Sequence, residues 1–184
     1  MIGYIYGDIL DITERAVLID TGNIGYFIYT TENTLEKLKN EKTASFYTYL
    51  SVREDALDLY GFETKQEKKL FELIISVSGI GPRGALGVIN IAPVSTIANA
   101  ISSGDSSYMT RVSGIGKKTA EKIVLELRDK AELLLLSDAE NQNIQEDSDV
   151  RDALITLGYK EYNIREVLKN IPIDLDVNSK IKEA

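Results

Sequence analysis

A chain of 184 residues with 43% hydrophobic content can bury a core, and it has room for one domain or for two to three small ones. It contains no cysteine and no histidine, which excludes disulfides, zinc–thiolate sites, a cysteine nucleophile, Ser-His-Asp chemistry and most transition-metal sites. The net charge of −8 argues against a generic DNA-coating protein.

That charge is unevenly spread. Residues 1–62 carry 5 Lys+Arg against 10 Asp+Glu, residues 63–136 carry 10 against 8, and residues 137–184 carry 6 against 11. Only the middle segment is net positive, so any binding of nucleic acid must use a local patch there. No apolar run approaches the roughly 18 residues of a membrane span; the longest, Leu133 to Leu136, reads as the end of a helix. The start, Met1-Ile2-Gly3-Tyr4-Ile5-Tyr6, lacks the basic region and apolar core of a signal peptide. A soluble, cytoplasmic protein is expected.

The first 62 residues read as β. Ile2 to Ile9, Ala16 to Thr21, Tyr26 to Thr30, Ser45 to Ser51 and Leu57 to Phe62 are short runs rich in Ile, Val, Tyr, Phe and Thr, separated by turn signals such as Thr21-Gly22-Asn23. Between the third and fourth lies Glu32 to Lys39, with Leu35 and Leu38 on one side, a short amphipathic helix. This order fits an OB-type barrel, and a generic small barrel or an SH3-like domain fits the spacing nearly as well. Arg53-Glu54-Asp55-Ala56 falls at a hairpin tip flanked by Val52 and Leu57. A solvated polar turn is the plain reading. The sharper one is a pair of carboxylates that pushes phosphates away.

Residues 63–136 read as helical. Leu70, Phe71, Leu73, Ile74 and Val77 share one helix face. Val77-Ser78-Gly79-Ile80-Gly81 then recurs unchanged, 35 residues later, as Val112-Ser113-Gly114-Ile115-Gly116. Arg83 follows the first copy, and Lys117 and Lys118 follow the second, with Lys122 a turn further on. Between them, Pro93 suits a helix start, Val94, Ile97, Ala98 and Ile101 form a stripe up to Gly104, and Asp105 or Ser106 suits the cap of a short helix through Tyr108, Met109 and Val112. The second copy opens a long helix with Ala120, Ile123, Val124, Leu127 and Leu134 inward. A glycine turn that opens a helix leaves free N–H groups at the positive end of the helix dipole, which suits an anion. Two such turns suit a polyanion with regularly spaced charges.

Ser137 to Asp149 is acidic and lacks aromatic residues, which reads as a flexible linker. In 150–184, Val150, Ala153, Leu154 and Leu157 form a helical stripe closed by Gly158, and Ile164, Val167, Leu168 and Ile171 form a second that stops before Pro172. Val177 and Ile181 begin a third. About 35 residues is small for an independent core, so this piece is expected to dock on something else.

Other motif matches are weaker. Gly79-Ile80-Gly81-Pro82-Arg83-Gly84 satisfies G-x-G-x-x-G, but a helical stripe precedes it, no strands follow and the first acid after it is Asp105. Gly114 to Thr119 approaches a P-loop, yet the required glycine and Ser/Thr positions hold Arg111 and Lys118. No motif therefore calls for a cofactor. Glu54, Asp55 and Asp58 could instead hold Mg²⁺ for a junction- or flap-specific nuclease, though adjacent strand carboxylates point to opposite faces. A single-strand-binding OB protein is disfavoured by an acidic barrel.

The doubled Val-Ser-Gly-Ile-Gly resembles the helix-hairpin-helix DNA-binding motif. Together with Met1-Ile2-Gly3, Val52-Arg53-Glu54-Asp55-Ala56, Leu59-Tyr60-Gly61-Phe62, Gly114-Ile115-Gly116-Lys117-Lys118-Thr119-Ala120-Glu121 and Leu157-Gly158-Tyr159, it makes the chain similar, over nearly its whole length, to the RuvA family of Holliday-junction-binding subunits. The resemblance implies a multidomain α+β protein: an OB-fold barrel (1–62), a double helix-hairpin-helix domain (63–136), a linker (137–149) and a small three-helix, UBA-like domain (150–184). It implies a non-catalytic subunit that holds a four-way junction open and square, as a homotetramer or double tetramer, for ATP-driven branch migration in recombination and repair. The implied partners are a RuvB-like hexameric ATPase and a RuvC-like resolvase. By that resemblance Gly79, Gly81, Arg83, Gly114, Gly116, Lys117, Lys118 and Lys122 bind DNA phosphates, Glu54 and Asp55 with Arg53 form an acidic pin, and Leu154, Leu157, Gly158 and Tyr159 meet the motor.

Overall fold

The computed structural model describes residues 2–131, 153–157 and 159. The chain divides into two compact units, Met1–Leu135 and Leu136–Ala184.

In the first unit, strands β1 (Tyr4–Ile12), β2 (Ala16–Asp20), β3 (Gly25–Tyr29), β4 (Thr43–Val52) and β5 (Leu57–Phe62) close a barrel in the order β1-β2-β3-β5-β4. Helix α1 (Glu32–Leu38) lies between β3 and β4 and is capped by the Thr31 hydroxyl, which accepts from the Thr34 N–H. The β3–β5 seam is parallel and every other pairing is antiparallel, which is the OB arrangement. β1 runs three residues beyond its expected end at Ile9. Its first half pairs with β4 and its second with β2, so it turns the barrel's corner, with a bulge between Ile9 and Asp11. Gly7 lies where the strands crowd: a Cβ there would collide with the Asp20 carbonyl oxygen. Ile5, Val17, Ile19, Ile28, Phe46 and Leu59 fill the interior.

The helical part begins with α2 (Lys65–Ile75), which opens on a capping box. The Thr64 hydroxyl accepts from the Glu67 N–H, and the Glu67 carboxylate accepts from the Thr64 N–H. α3 (Pro82–Ile91) and α4 (Val94–Ser103) follow, and α4 ends on Gly104 in the left-handed region at φ +86°. The short helix expected through Tyr108 and Val112 is only a 3₁₀ turn, Met109–Arg111. Its entry is diverted, because the Asp105 carboxylate takes the Ser107 N–H at 2.9 Å, and Val112 is already extended at ψ 126°. Helix α5 occupies 117–131 among the described residues.

One core joins the barrel to the helices. Phe71 of α2 places its ring 4.8 Å from Phe62, 5.4 Å from Tyr60 and 5.3 Å from Tyr49. Each such aromatic pair contributes about 0.5–1.5 kcal/mol beyond its buried area. The buried cluster continues through Leu70, Ile74, Val88, Ile97 and Ile123. Nearby, the Asn90 side-chain oxygen accepts from the Glu32 N–H at 3.0 Å, tying α3 to the start of α1.

Among the described residues no single helix is long and apolar enough to cross a membrane. In the second unit the described residues form a single helical turn. The Leu157 N–H donates to Ala153 at 3.0 Å, and the Tyr159 N–H donates to Leu154 at 3.1 Å, the i+5 bond that closes a helix end. Leu134, the expected linker, Gly158 and the second and third expected tail helices lie outside the described residues.

Candidate nucleic-acid interface

The two identical pentapeptides fold into equivalent turns. The Ile80 N–H donates to Val77 at 3.2 Å, and the Ile115 N–H donates to Val112 at 3.0 Å. The Gly81 carbonyl accepts the first bond of α3 from Ala85 at 3.1 Å, and the Gly116 carbonyl accepts that of α5 from Ala120 at 2.9 Å. Val77, Ile80 and Ile115 are buried and Val112 packs against the same core, so each turn is pinned by its apolar residues. The Ser-Gly pair between them is left at the surface.

The glycines of each turn have different physical reasons. Gly79 and Gly114 sit at φ +98° and +86°, which a side chain rarely tolerates. Gly81 and Gly116 are not in that region, Gly81 being extended at φ −92°, ψ 171°. A Cβ on either would meet nothing within 4 Å. Neither backbone conformation nor packing within the protein demands glycine there. The backbone at both positions is open to close approach by another molecule. Gly81 supplies no side-chain cap, and Gly116, the equivalent residue of α5, has no side chain to supply one. No side-chain cap takes the free N–H groups that open α5, or those of α3, which begin at Arg83 because Pro82 has none.

The cations around these turns differ in freedom. Lys118 is exposed and has no ion pair among the described residues. Lys117 is 83% exposed and only loosely paired with Glu121, at 3.9 Å. Lys122 is already engaged: its ammonium donates to the Ser78 carbonyl at 3.1 Å and lies 3.7 Å from Glu126. It braces the second helix against the first turn, and an ammonium has donors left after that bond. Arg128 makes a similar tie, from Nε to the Ser102 carbonyl at 3.1 Å. Arg83 is exposed in the first turn of α3, close enough to Tyr60 to influence its phenol. Burial pushes that phenol up and Asp58 adds to the rise, while Arg83 and Arg53 oppose it.

The β4–β5 hairpin ends in a four-residue tip closed by the Arg53 N–H donating to Ala56 at 2.8 Å. The Arg53 guanidinium pairs with Asp58 at 2.5 Å, so these two charges neutralise each other at the root. Glu54 and Asp55 are exposed with no ion pair among the described residues. Below them Val52 and Leu57, a directly opposed pair, are 68% and 70% exposed. With Asp58 held by Arg53, only two adjacent carboxylates remain for a cation. Among the described residues no group of three or more ligating side chains is found. Leu154 is buried in the second unit, whereas Leu157 and Tyr159 are exposed.

Sequence reasoning did not single out Arg15 or Arg111. Both line, with Arg83, a cleft where the barrel meets the helices. Arg111 is two residues ahead of the second turn's Ser113, a usable signal; Arg15 sits in a short barrel loop with nothing in the sequence to mark it.

Comparison with known proteins covers every part of the chain. The family model for the RuvA N terminal domain matches residues 1–61, that for the SAM-like helix-hairpin-helix tandem matches 71–129, and that for the RuvA C-terminal domain matches 147–184. The Holliday junction branch migration complex subunit RuvA of Clostridium botulinum (strain 657 / Type Ba4) is 39% identical over 191 residues, covering 100% of this chain and 97% of that one. The protein of the same description from Caldanaerobacter subterraneus subsp. tengcongensis is 39% identical over 185 residues, with the same coverage.

Proposed function

The chain belongs to the RuvA family, and from that premise we propose that it binds four-way DNA junctions by shape, without reading base sequence, and holds them open for branch migration. The observation that carries this reading is the pair of open glycines, Gly81 and Gly116, each at the mouth of a helix whose free N–H groups no side chain caps. Such turns grip phosphates, which position a protein on DNA but carry no sequence information. Arg83, Lys117 and Lys118 add charge beside them, and Lys122 holds the two turns in fixed register while keeping donors for a phosphate.

Selectivity then rests on the pin. A phosphate about 6 Å from one of its carboxylates is repelled by roughly 3 kcal/mol at an effective dielectric of about 20, and by about 0.7 kcal/mol in bulk water. Glu54 and Asp55 are exposed, so the lower figure is the nearer one, and salt reduces it by about half. Summed over the eight tip carboxylates of a homotetramer, roughly 2–3 kcal/mol still disfavours a continuous duplex laid across the centre. An open crossover, whose strands part around the pins, escapes that cost.

In this scheme the chain does no catalysis. A RuvB-like hexameric ATPase supplies the work, residues 150–184 dock it through Leu157 and Tyr159, and a RuvC-like resolvase acts on the same junction. The barrel (1–62) carries the pin and residues 63–136 the grip, as a tetramer or a pair of tetramers. The test is a gel-shift titration of the full chain against a four-way junction and a linear duplex of equal length, with Mg²⁺ and without a motor. Preference for the intact junction is expected. Equal affinity for both would overturn the reading, and cleavage of the junction would favour a nuclease.

A further inference from the structure

Where the barrel meets the helices lies a cleft of about 620 Å³. Its wall takes a guanidinium from three separate places: Arg15 from the loop between β1 and β2, Arg83 from the first turn of α3, and Arg111 from the 3₁₀ turn ahead of the second glycine turn. None of the three makes an ion pair among the described residues, although Glu14 and Glu32 also line the cleft. Arg111 instead lies over the Tyr108 ring, at 4.9 Å. Arg53 and Arg128, by contrast, are engaged within the fold, Arg53 with the Asp58 carboxylate and Arg128 with the Ser102 carbonyl. Glu14 and Glu32 share the cleft but pair with none of the three guanidiniums, which repel each other, and an anion between them removes that repulsion.

A second observation points the same way. Thr30, in the same wall, is 4% exposed, and its hydroxyl is the buried side-chain polar atom without a hydrogen-bond partner among the described residues. A buried hydroxyl lacking a partner is uncommon, and this one, just behind the cleft surface, gains one only if the wall adjusts around a ligand. Ser113, from the second turn, adds a further hydroxyl at the rim. Guanidinium groups are the side chains best matched to phosphate oxygens, which they bind in a bidentate manner.

We propose that this cleft is a phosphate-binding site distinct from the two helix mouths, in which Arg15 of the barrel, Arg83 and Arg111 hold one phosphate group. The ligand is a phosphodiester of the DNA strand carried by the two glycine turns, so the site rests on the proposed junction binding; a free phosphate compound shares the same chemistry. The barrel thereby becomes part of the grip as well as the carrier of the pin, although its overall charge is negative.

The test uses the full chain with Arg15→Gln, Arg111→Gln and both together. Arg15 is exposed and its guanidinium makes no hydrogen bond among the described residues, so Arg15→Gln is expected to fold as the parent does; Lys42→Gln, on the barrel away from the cleft, is the control. Junction affinity is measured by fluorescence anisotropy across a salt series. The slope of log affinity against log salt is expected to fall by about 0.9 for each phosphate that is no longer neutralised, with no change for Lys42→Gln. In a second arm, calorimetry follows pyrophosphate binding to the protein without DNA. Loss of pyrophosphate binding in the double variant while the salt slope stays unaltered would keep the site and assign it to a free phosphate compound. An unaltered slope together with no pyrophosphate binding by the parent overturns the site. Failure of the parent to bind any junction would instead refute the proposed function, and the pyrophosphate arm would still decide the cleft.

Discussion

Gly116→Ser separates a glycine kept for a ligand from one kept for the fold. Gly116 is the N-cap residue of α5, since its carbonyl accepts from the Ala120 N–H at 2.9 Å. Serine is a better N-cap than glycine by a few tenths of a kcal/mol, because its hydroxyl accepts from a first-turn N–H. The space is open, with no atom within 4 Å of the added Cβ. The melting midpoint of the variant should therefore equal or slightly exceed that of the parent. On DNA the same hydroxyl occupies the N–H that a phosphate oxygen would use. A hydrogen bond to a charged group contributes about 1.5–3 kcal/mol, so losing one weakens junction binding by roughly 10- to 150-fold. Anisotropy with a labelled four-way junction at fixed salt, run beside a thermal melt, measures both quantities. An unchanged midpoint with unchanged affinity would refute the assignment of this turn to DNA. Gly81→Ser asks the same question of the first turn.

Gly79→Ala and Gly114→Ala should behave in the opposite way, each costing about 1–2 kcal/mol of stability from the left-handed φ alone, as read from denaturant midpoints. Glu54→Gln with Asp55→Asn should raise affinity for linear duplex by about 30- to 150-fold, the equivalent of the roughly 2–3 kcal/mol removed, and so narrow the junction preference in a gel shift; an unaltered preference would sink the role of the pin. Burial holds the Glu67 carboxyl above its ordinary range. A carboxyl raised in the folded state binds its proton more tightly there, so it penalises folding once pH exceeds its unfolded value, and the penalty fades as pH falls below that value. Glu67→Gln keeps the capping oxygen and removes the charge, so it should not lower the melting midpoint at pH 7, and any gain should shrink as pH falls through the carboxylate range. Deleting 150–184 should leave junction binding intact and abolish stimulation of a RuvB-like ATPase, as measured by ATP turnover; failure to bind the junction would refute the docking role of the tail.

Much of the fold could be read from local pattern. The five β runs and the helix after the third were visible because each is a short apolar stretch bounded by turn residues, and β5 begins and ends where expected. The length of β1 was not visible, since its second half, with Leu10 and Asp11 exposed, carries no alternating pattern of its own and is held by β2. The repeated turn was legible because its chemistry is local: five residues contain both the anchors and the glycines. The brace from Lys122 to Ser78 spans 44 residues, and the arginine cleft gathers side chains from positions 15, 83 and 111, so neither leaves a spacing to find. The distinction between the two glycines of each turn also needed coordinates, because letters do not reveal which one has a positive φ.

The aromatic junction at Phe71 bears on how pulling is transmitted. Because α2 packs its rings against β5 and β4, the base of the hairpin that ends in Glu54 and Asp55 and the apolar anchors of the turns at Gly79 and Gly114 share one core. A close-packed interior has low compressibility and passes strain on. Under the proposed function, a tug on a strand held at the turns would reach Glu54 and Asp55 largely as displacement of that shared core. In that reading the spacing from the turns to the wedge at the hairpin tip is a fixed gauge, and a cavity at position 71 would soften it like play in a worn bearing. The strand could then creep past the wedge without being parted, even where every residue facing the DNA is intact.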